Sequence, residues 1–472
     1  MRRFACVVLL ICLVVTVFAV NSGIAQQLPR VPTTPIRTLP RLALQLELPP
    51  LHQWIAEHHA ASFSALPGFE RVQVDSVFPI YDMKGEQLVY YEVKYRAPNG
   101  QDAGYAILSA TEEDLPVVEF AHHGVTHFER FSKEVDGPFR LIRYGSGYIV
   151  AENEKGQLVG EIGFRPQVIP REIWEEFSHI EEGEMAQKPG ARPVPLKEEP
   201  EVPELRIPQE FIREMPYEQW KATIDPRTFV RAEPEDIRWH WEQVREQYKR
   251  AEGPGNPRIA YASSGNCAYD YYWADGIGNM PYILQMSANT SANHTSCASG
   301  CGPTAWVNLY SWHRRSFQFA TGYDSSRYNT AWLDDRTMGV RSYLGTFRLR
   351  CNGFTWHYRM RRGISYAESR FNLDVYYWWR WSLSTWWRSS RANWVFEVAR
   401  EMARYRRPFI VGYYSDWHYA IGYGIAECRT HGWSRHSWAY IYPAWRANNT
   451  QDKWIPKSDI FGIWGIYSFV RR

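Results

Sequence analysis

A cysteine and a histidine in this chain stand in the local sequences that a thiol nucleophile and its base require. Cys301 lies in the segment SGCGPTAW (299–306), and His418 opens the segment HYAIGY (418–423) about a hundred residues later. A thiol attacks an acyl carbon when a nearby imidazole takes its proton. The two segments predict acyl transfer, with hydrolysis of peptide bonds as the main candidate reaction.

The residues around Cys301 predict that it begins a helix. Gly300 and Gly302 allow a tight turn, and Pro303 suits a first helical turn because it lacks an N–H group. Apolar residues then recur with helical spacing. The positive end of the helix dipole lowers the pKa of a cysteine at this position. Cys297 could exchange roles with Cys301, leaving Cys301 as a disulfide cysteine in a turn.

The residues around His418 predict a β-hairpin. Residues 408–414 read as a strand, 415–417 as a turn, and 418–424 as the returning strand. A histidine that points inward from the start of a strand can lie beside a thiol on a helix and accept its proton. His431 and His436 are the competing candidates for this role.

The two segments resemble those of papain-like cysteine peptidases of bacteria, notably the bacteriocin-processing-peptidase-like group and more distantly streptopain. The resemblance covers residues 261–472 and implies an α+β papain-like domain with Cys301 as nucleophile and His418 as base. The segment PYILQ is similar to the approach strand of that family, which implies that Gln285 helps to bind the oxyanion.

The chain departs from the family pattern at the third catalytic residue. The family places Asp or Asn on a strand after the histidine, often within Asp-Pro-Trp. Here Tyr442 stands where the Asp is expected, ahead of Pro443, Ala444 and Trp445. Asn448 or Asn449 could orient His418 instead, or either could be a loop residue at the surface. A histidine without an orienting group is less well fixed, which lowers activity.

Residues 42–167 predict a small α+β domain ahead of the papain-like domain, which spans residues 258–472. Its expected elements are a helix over 51–62, strands over 87–95, 104–109 and 116–120, and a hairpin turn at Asn99-Gly100. The strands are faintly similar to the propeptide of streptopain-type enzymes. That similarity implies a zymogen activated by a cut within residues 182–257; a permanent accessory or cell-wall-binding domain is the alternative.

Residues 168–257 predict a linker with helices, because residues 187–208 mix Pro with Glu and Lys and lack aromatic residues, while residues 234–250 read as a charged helix. Acidic residues outnumber basic ones over residues 26–217, so the rest of the chain is basic. The two parts could attract each other, which would pack the N-terminal domain on the catalytic domain, or they could be unrelated solvated surfaces.

Residues 1–25 have the basic start, apolar run and small-residue end of a secretory signal peptide, with an uncleaved membrane anchor as the alternative. No later stretch is apolar enough to span a membrane, so we expect a secreted or cell-envelope protein without stable membrane insertion. Removal of the signal leaves Cys267, Cys297, Cys301, Cys351 and Cys428. The odd number predicts two disulfides and one reactive thiol, for which Cys301 is the natural candidate.

Composition and motifs bear on other classes of function. The net charge of +3 does not suggest a nucleic-acid-binding protein. The sequence has no zinc-peptidase motif and no phosphate-binding loop, so we expect neither a metal nor a cofactor. Most of the 22 tryptophans lie after residue 220, where they pack in a core or bind sugars. The open alternatives are an amidase or transpeptidase acting on cell-wall peptides, and a non-catalytic, tryptophan-rich binding protein on the same scaffold.

Overall fold

The computed structural model describes residues 46–145, 147–163, 181–184, 216–224, 232–252, 269–274, 300–313, 339–349, 352–371, 373–382, 389–413, 418–428, 437–443 and 451–471. These residues form a mixed α+β structure, in which a large sheet carries helices on its faces. Within them, no helix has the length and apolar character needed to cross a membrane.

The helices of the described residues are, in chain order, α1 (Pro50–Ser62), α2 (His127–Glu134), α3 (Tyr217–Ala222), α4 (Pro234–Glu252), α5 (Cys301–Trp312), α6 (Arg362–Phe371) and α7 (Ser389–Arg404). Two short 3₁₀ helices accompany them, His357–Arg359 and Lys457–Asp459. The helices that the sequence predicts over 51–62 and 234–250, and from Cys301 onward, are confirmed.

The strands of the N-terminal part are β1 (Gln73–Tyr81), β2 (Leu88–Arg96), β3 (Asp102–Ser109), β4 (Val117–Ala121), β5 (Arg140–Arg143), β6 (Tyr148–Glu152), β7 (Leu158–Gly163) and β8 (Glu181–Glu184). Strands β1 to β4 pair in antiparallel order. The turn between β2 and β3 contains Gly100 at φ +80°, a conformation that glycine adopts without strain. The hairpin predicted at Asn99-Gly100 is therefore confirmed.

The strands of the C-terminal part are β9 (Tyr269–Trp273), β10 (Phe347–Leu349), β11 (Asn352–Phe354), β12 (Leu373–Ser382), β13 (Phe409–Tyr413), β14 (His418–Cys428), β15 (Ser437–Tyr442), β16 (Lys453–Pro456) and β17 (Ile460–Arg471). Strands β13 and β14 form the hairpin that the sequence predicts around His418. Strands β10 and β11 form a separate two-stranded sheet.

One sheet joins the two parts of the chain. Its strand order is β7-β6-β5-β1-β2-β3-β4-β16-β15-β14-β13-β17-β12-β8, and β9 pairs with β14 beside β13. The junction lies at Phe120 of β4, which pairs with Trp454 of β16. The described residues, from 46 onward, form one compact unit. The boundaries at residues 42–167 and 258–472 stay predictions.

Several sequence-based predictions fall on residues that the structure does not describe. The signal peptide and the segment 187–208 lie outside the described residues, as do Cys267, Cys297 and Cys351. The backbone of Cys428 is described at the end of β14. The predicted pairing of cysteines is therefore still a prediction, whereas Cys301 is a buried thiol.

Candidate active site

Helix α5 places Cys301 at its first position, as the glycines around it require. Gly300 precedes the helix at φ 105° and ψ 144°, which side chains other than glycine rarely adopt. A Cβ atom on Gly302 would lie 2.6 Å from Oγ1 of Thr355, so only glycine fits there without movement. Cys301 itself is buried, with 8% of its surface exposed. The positive end of the α5 dipole therefore lies at a thiol held inside the protein.

Strand β14 begins with His418, which pairs with Tyr413 of β13. The two rings pack edge to face with centroids 5.6 Å apart. Burial is the main cause that lowers the pKa of His418 from 6.5 to about 3; the hydrogen bond to the main-chain carbonyl of Pro443 raises this pKa, and the positive charge of Lys453 lowers it. The imidazole is therefore neutral at physiological pH.

The hydrogen bond of His418 decides which ring nitrogen carries the proton. Nε2 of His418 lies against the carbonyl oxygen of Pro443, which directly follows β15. Because a carbonyl oxygen can only accept, the neutral imidazole donates from Nε2 and keeps its lone pair on Nδ1. Pro443 is the residue after Tyr442, so this carbonyl stands in the part of the chain where the family pattern places its orienting residue.

Tyr419, the next residue along β14, connects this strand to Cys301. Burial and the nearby Cys301 both raise the pKa of Tyr419 well above its ordinary value. The Tyr419 hydroxyl donates to the carbonyl of Thr355 at 3.2 Å, and Thr355 is the residue that contacts Gly302. Helix α5 packs mainly on β14. The start of α5 thus lies beside Tyr419, the second residue of β14.

His418 and Tyr419 point to opposite faces of the sheet, since side chains alternate along a strand. The ring of Tyr419 packs against Phe461 and Trp464 on the face that α5 covers. His418 lies on the opposite face, which it shares with Gly465. A Cβ atom added at Gly465 would meet Met402 of α7, so α7 covers this face. The described contacts therefore place Tyr419, and not His418, on the face of the sheet that Cys301 shares.

A second buried imidazole, His357, lies on the α5 side of the sheet. Its ring centroid is 6.4 Å from that of Phe461, and Phe461 also packs against Tyr419. Burial lowers the pKa of His357 to about 3. Sequence reasoning did not single out this residue, because it lies in a short 3₁₀ helix without a recognisable motif. His357 is therefore a buried imidazole on the face of the sheet that α5 covers.

The remaining predicted site residues are not placed by the structure. Gln285, Asn448 and Asn449 lie outside the described residues, as do the competing candidates Cys297, His431 and His436. Their roles stay predictions. Across the described ranges, no three His, Cys, Asp or Glu side chains group as they would around a metal ion.

No protein-family model matches the chain, and neither the curated proteins nor the solved structures include a significant match to it.

Proposed function

We propose that this chain is a papain-like cysteine peptidase, secreted or held in the cell envelope, that hydrolyses peptide bonds with Cys301 as nucleophile and His418 as base. One observation carries the proposal. The thiol of Cys301 lies at the start of a buried helix that packs on strand β14, and the first residue of β14 is a neutral histidine with a hydrogen-bonded ring. A nucleophile and a base of these types, on such elements, suit acyl transfer.

In the proposed acylation step, the proton of the Cys301 thiol passes around the start of β14 to Nδ1 of His418. The sulfur forms a bond to the peptide carbonyl carbon, and the carbonyl oxygen becomes an oxyanion. Main-chain N–H groups at the start of α5, together with the Gln285 side chain, stabilise that oxyanion. The C–N bond then breaks, and His418 returns the proton to the leaving amine.

In the proposed deacylation step, a water molecule loses a proton to Nδ1 of His418 and attacks the thioester. The C–S bond breaks, the new carboxylic acid leaves, and the thiol regains its proton. The Pro443 carbonyl holds the ring through Nε2 in both steps. Its acceptor geometry supports Nδ1 as the catalytic nitrogen.

The test is hydrolysis of casein under mild reduction by the purified chain and by Cys301→Ser, which keeps size and polarity. We expect the parent chain to cut casein and Cys301→Ser to be inactive. A labelled alkylating reagent should modify the parent at Cys301 and leave the variant unmodified at that position. A parent chain that cuts no casein and takes up no label at Cys301 contradicts the proposal.

A matched pair of histidine variants identifies the base. His418→Gln keeps an N–H donor for the Pro443 carbonyl but lacks a basic nitrogen, and His357→Gln makes the same change at the buried imidazole on the face that α5 covers. We expect His418→Gln to lower kcat by about 10²-fold or more and His357→Gln to leave kcat within a few-fold. The reverse result would assign the base to His357, on the face that α5 covers.

The same protein samples also test two alternative functions. An amidase or transpeptidase acting on cell-wall peptides would release products from peptidoglycan fragments and leave casein intact. A non-catalytic binding protein is favoured by Tyr442, which stands where an Asp is expected, if no Asn reaches His418. That protein would cut neither casein nor peptidoglycan fragments and would take up no alkylating label at Cys301.

A further inference from the structure

The described residues 46–163, here called the N-terminal region, share a buried polar contact with the C-terminal strands. Lys453 Nζ in β16 lies 3.2 Å from Glu119 Oε2 in β4, and their side chains are 5% and 0% exposed. Glu119 also accepts from the Tyr105 hydroxyl at 2.7 Å. Separation of the two regions would break this ion pair, whereas removal of the carboxylate within the joined regions would leave Lys453 buried without this counter-charge, which is strongly destabilising.

Further contacts surround this ion pair at the junction of β4 and β16. The Trp454 indole donates to Nδ1 of His122 at 3.1 Å. Gln451 bridges two groups of the N-terminal region: its Nε2 donates to the His123 carbonyl at 2.9 Å, and its Oε1 accepts from Arg130 at 2.9 Å. These side-chain contacts flank the registered strand pair of Phe120 and Trp454 and add hydrogen bonds between the two regions.

Aromatic packing covers one face of the junction. The rings of Phe63 and Phe120, from the N-terminal region, pack against Trp438 and Trp454 of the C-terminal strands, with Phe120 stacked on Trp454 at 5.7 Å. Trp454 is fully buried. Release of the N-terminal region would expose these rings to water, and large aromatic side chains dominate the energetics of such contacts.

Helix α4, in the C-terminal part of the predicted linker, also packs on the N-terminal region. The Trp241 indole donates to the Asp114 carbonyl at 2.8 Å, and Arg245 pairs with Glu112 at 2.6 Å. In the opposite direction, β8 lies ahead of the segment 187–208 and pairs with β12 of the C-terminal part. A cut within residues 187–208 therefore leaves each fragment in contact with the other. Helix α4 stays packed on the N-terminal region, and β8 stays paired with β12.

We propose that the N-terminal region is a permanent partner of the C-terminal strands, which stays bound after the linker is cut and supports the strands that hold His418. Strand β16 pairs with β15, and β15 leads directly to the Pro443 carbonyl that accepts from His418. The two regions share a continuous sheet, a buried ion pair and aromatic packing on one face of the junction. The role in holding His418 rests on the proposed function; the permanent association does not.

The association is tested in a Cys301→Ser background, which removes the proposed nucleophile. A recognition site for a specific protease is placed within residues 187–208, the chain is cut there, and the products are separated by size-exclusion chromatography without denaturant. We expect the two fragments to elute together. Two separate peaks, with a folded C-terminal fragment, would overturn the proposal.

Two variants of the cut chain compare a buried contact with an exposed one. Glu119→Gln removes the partner of buried Lys453, and Glu112→Gln removes the partner of Arg245, where both side chains are more than a third exposed. We expect Glu119→Gln to weaken the association of the fragments by about a hundredfold or more, and Glu112→Gln to change it by less than about fivefold. Equal effects would overturn the assignment of the buried pair as the centre of the junction.

Activity of the cut chain with Cys301 intact separates a permanent partner from a removable inhibitor. We expect the associated fragments to hydrolyse casein at least as fast as the uncut chain. A cut chain that becomes active only when the N-terminal fragment is lost would overturn the proposal in favour of a zymogen. If neither form cuts casein, the proposed function fails, while the chromatography still decides the association.

Discussion

The imidazole of His59 in α1 is buried among aromatic rings, and neither of its nitrogens has a hydrogen bond within the described part of the chain. Its ring centroid lies 4.5 Å from Phe120, 4.9 Å from Phe63 and 6.2 Å from Trp438. Burial is the main cause that lowers its pKa to about 3, with a smaller effect from His58. We predict that His59→Leu stabilises the protein, and does so more strongly in acid.

The gain at pH 7 comes from removing a polar group that is buried without a hydrogen bond. Such a group costs about 1–3 kcal/mol. Leucine is only slightly larger than histidine, and a cavity of about 140 Å³ borders His59, so the leucine side chain has room. We therefore expect the free energy of unfolding at pH 7 to rise by about 1–3 kcal/mol in His59→Leu.

The additional gain in acid follows from the lowered pKa of His59. The unfolded chain binds a proton at this residue below pH 6.5, whereas the folded chain does so only below about pH 3. The parent therefore loses stability as the pH falls from 6.5 towards 3. At pH 5, about 1.5 units below the unfolded pKa, the loss is about 2 kcal/mol. His59→Leu has no such loss, so its advantage grows by that amount between pH 7 and pH 5.

The assay is urea unfolding of both proteins at pH 7 and pH 5 in a Cys301→Ser background, followed by tryptophan fluorescence. Asp452, whose pKa burial raises to about 6, favours the folded state in acid, but it does so in both proteins and cancels in the difference. His313→Leu is the matched control. His313 is also buried with a pKa lowered to about 3, but it has a hydrogen bond to the backbone of Ile466. His313→Leu should be less stable than the parent at pH 7. Its stability should fall less than that of the parent between pH 7 and pH 5, as expected for His59→Leu.

A His59→Leu variant that is less stable than the parent at pH 7 would refute the hydrogen-bond argument. An unchanged stability difference between pH 7 and pH 5 would refute the pKa argument. The two parts fail independently, because the first depends on the neutral ring and the second on its protonation.

Three further substitutions test local packing and pairing, each by urea unfolding at pH 7. Thr126→Ala removes the side chain that caps α2 in a capping box and should cost about 1 kcal/mol, and restoration by Thr126→Ser would identify the cap as the cause. Gly363→Ala in α6 would place a Cβ 2.2 Å from the indole of buried Trp306, so it should cost about 1–3 kcal/mol although alanine favours helices; a more stable variant would contradict this packing. Glu119→Gln should cost about 3–5 kcal/mol and Lys453→Met a similar amount, whereas the double variant should lose less than the sum; strict additivity would show that the pair does not interact.

The elements around the candidate site are predictable from sequence because their signals are local. Glycine and proline mark the start of α5 at Cys301, and apolar runs with a turn between them mark β13 and β14. These signals need only neighbouring residues. The structure reproduces the start of each element within a residue or two, which is as far as local signals reach.

The junction between the two parts of the chain is not predictable in this way. Glu119 and Lys453 are 334 residues apart and look like ordinary charged residues in the sequence. Their burial depends on β4 and β16 meeting in one sheet, and no local pattern specifies which strands pair. The charge difference between the two parts suggests an attraction, but it does not identify a single continuous sheet.

The hydrogen-bond acceptor of His418 is a main-chain atom, which explains why the sequence gives no signal for it. Every residue carries a carbonyl, so the departure at Tyr442 from the Asp of the family pattern does not decide whether the ring is held. A carbonyl fixes the tautomer and orientation of a neutral imidazole as a carboxylate does. It carries only a partial charge, however, so it stabilises the imidazolium formed during proton transfer less well than an Asp would. With His418 as the proposed base, we therefore expect a slow catalyst, in which the loss falls on kcat more than on KM.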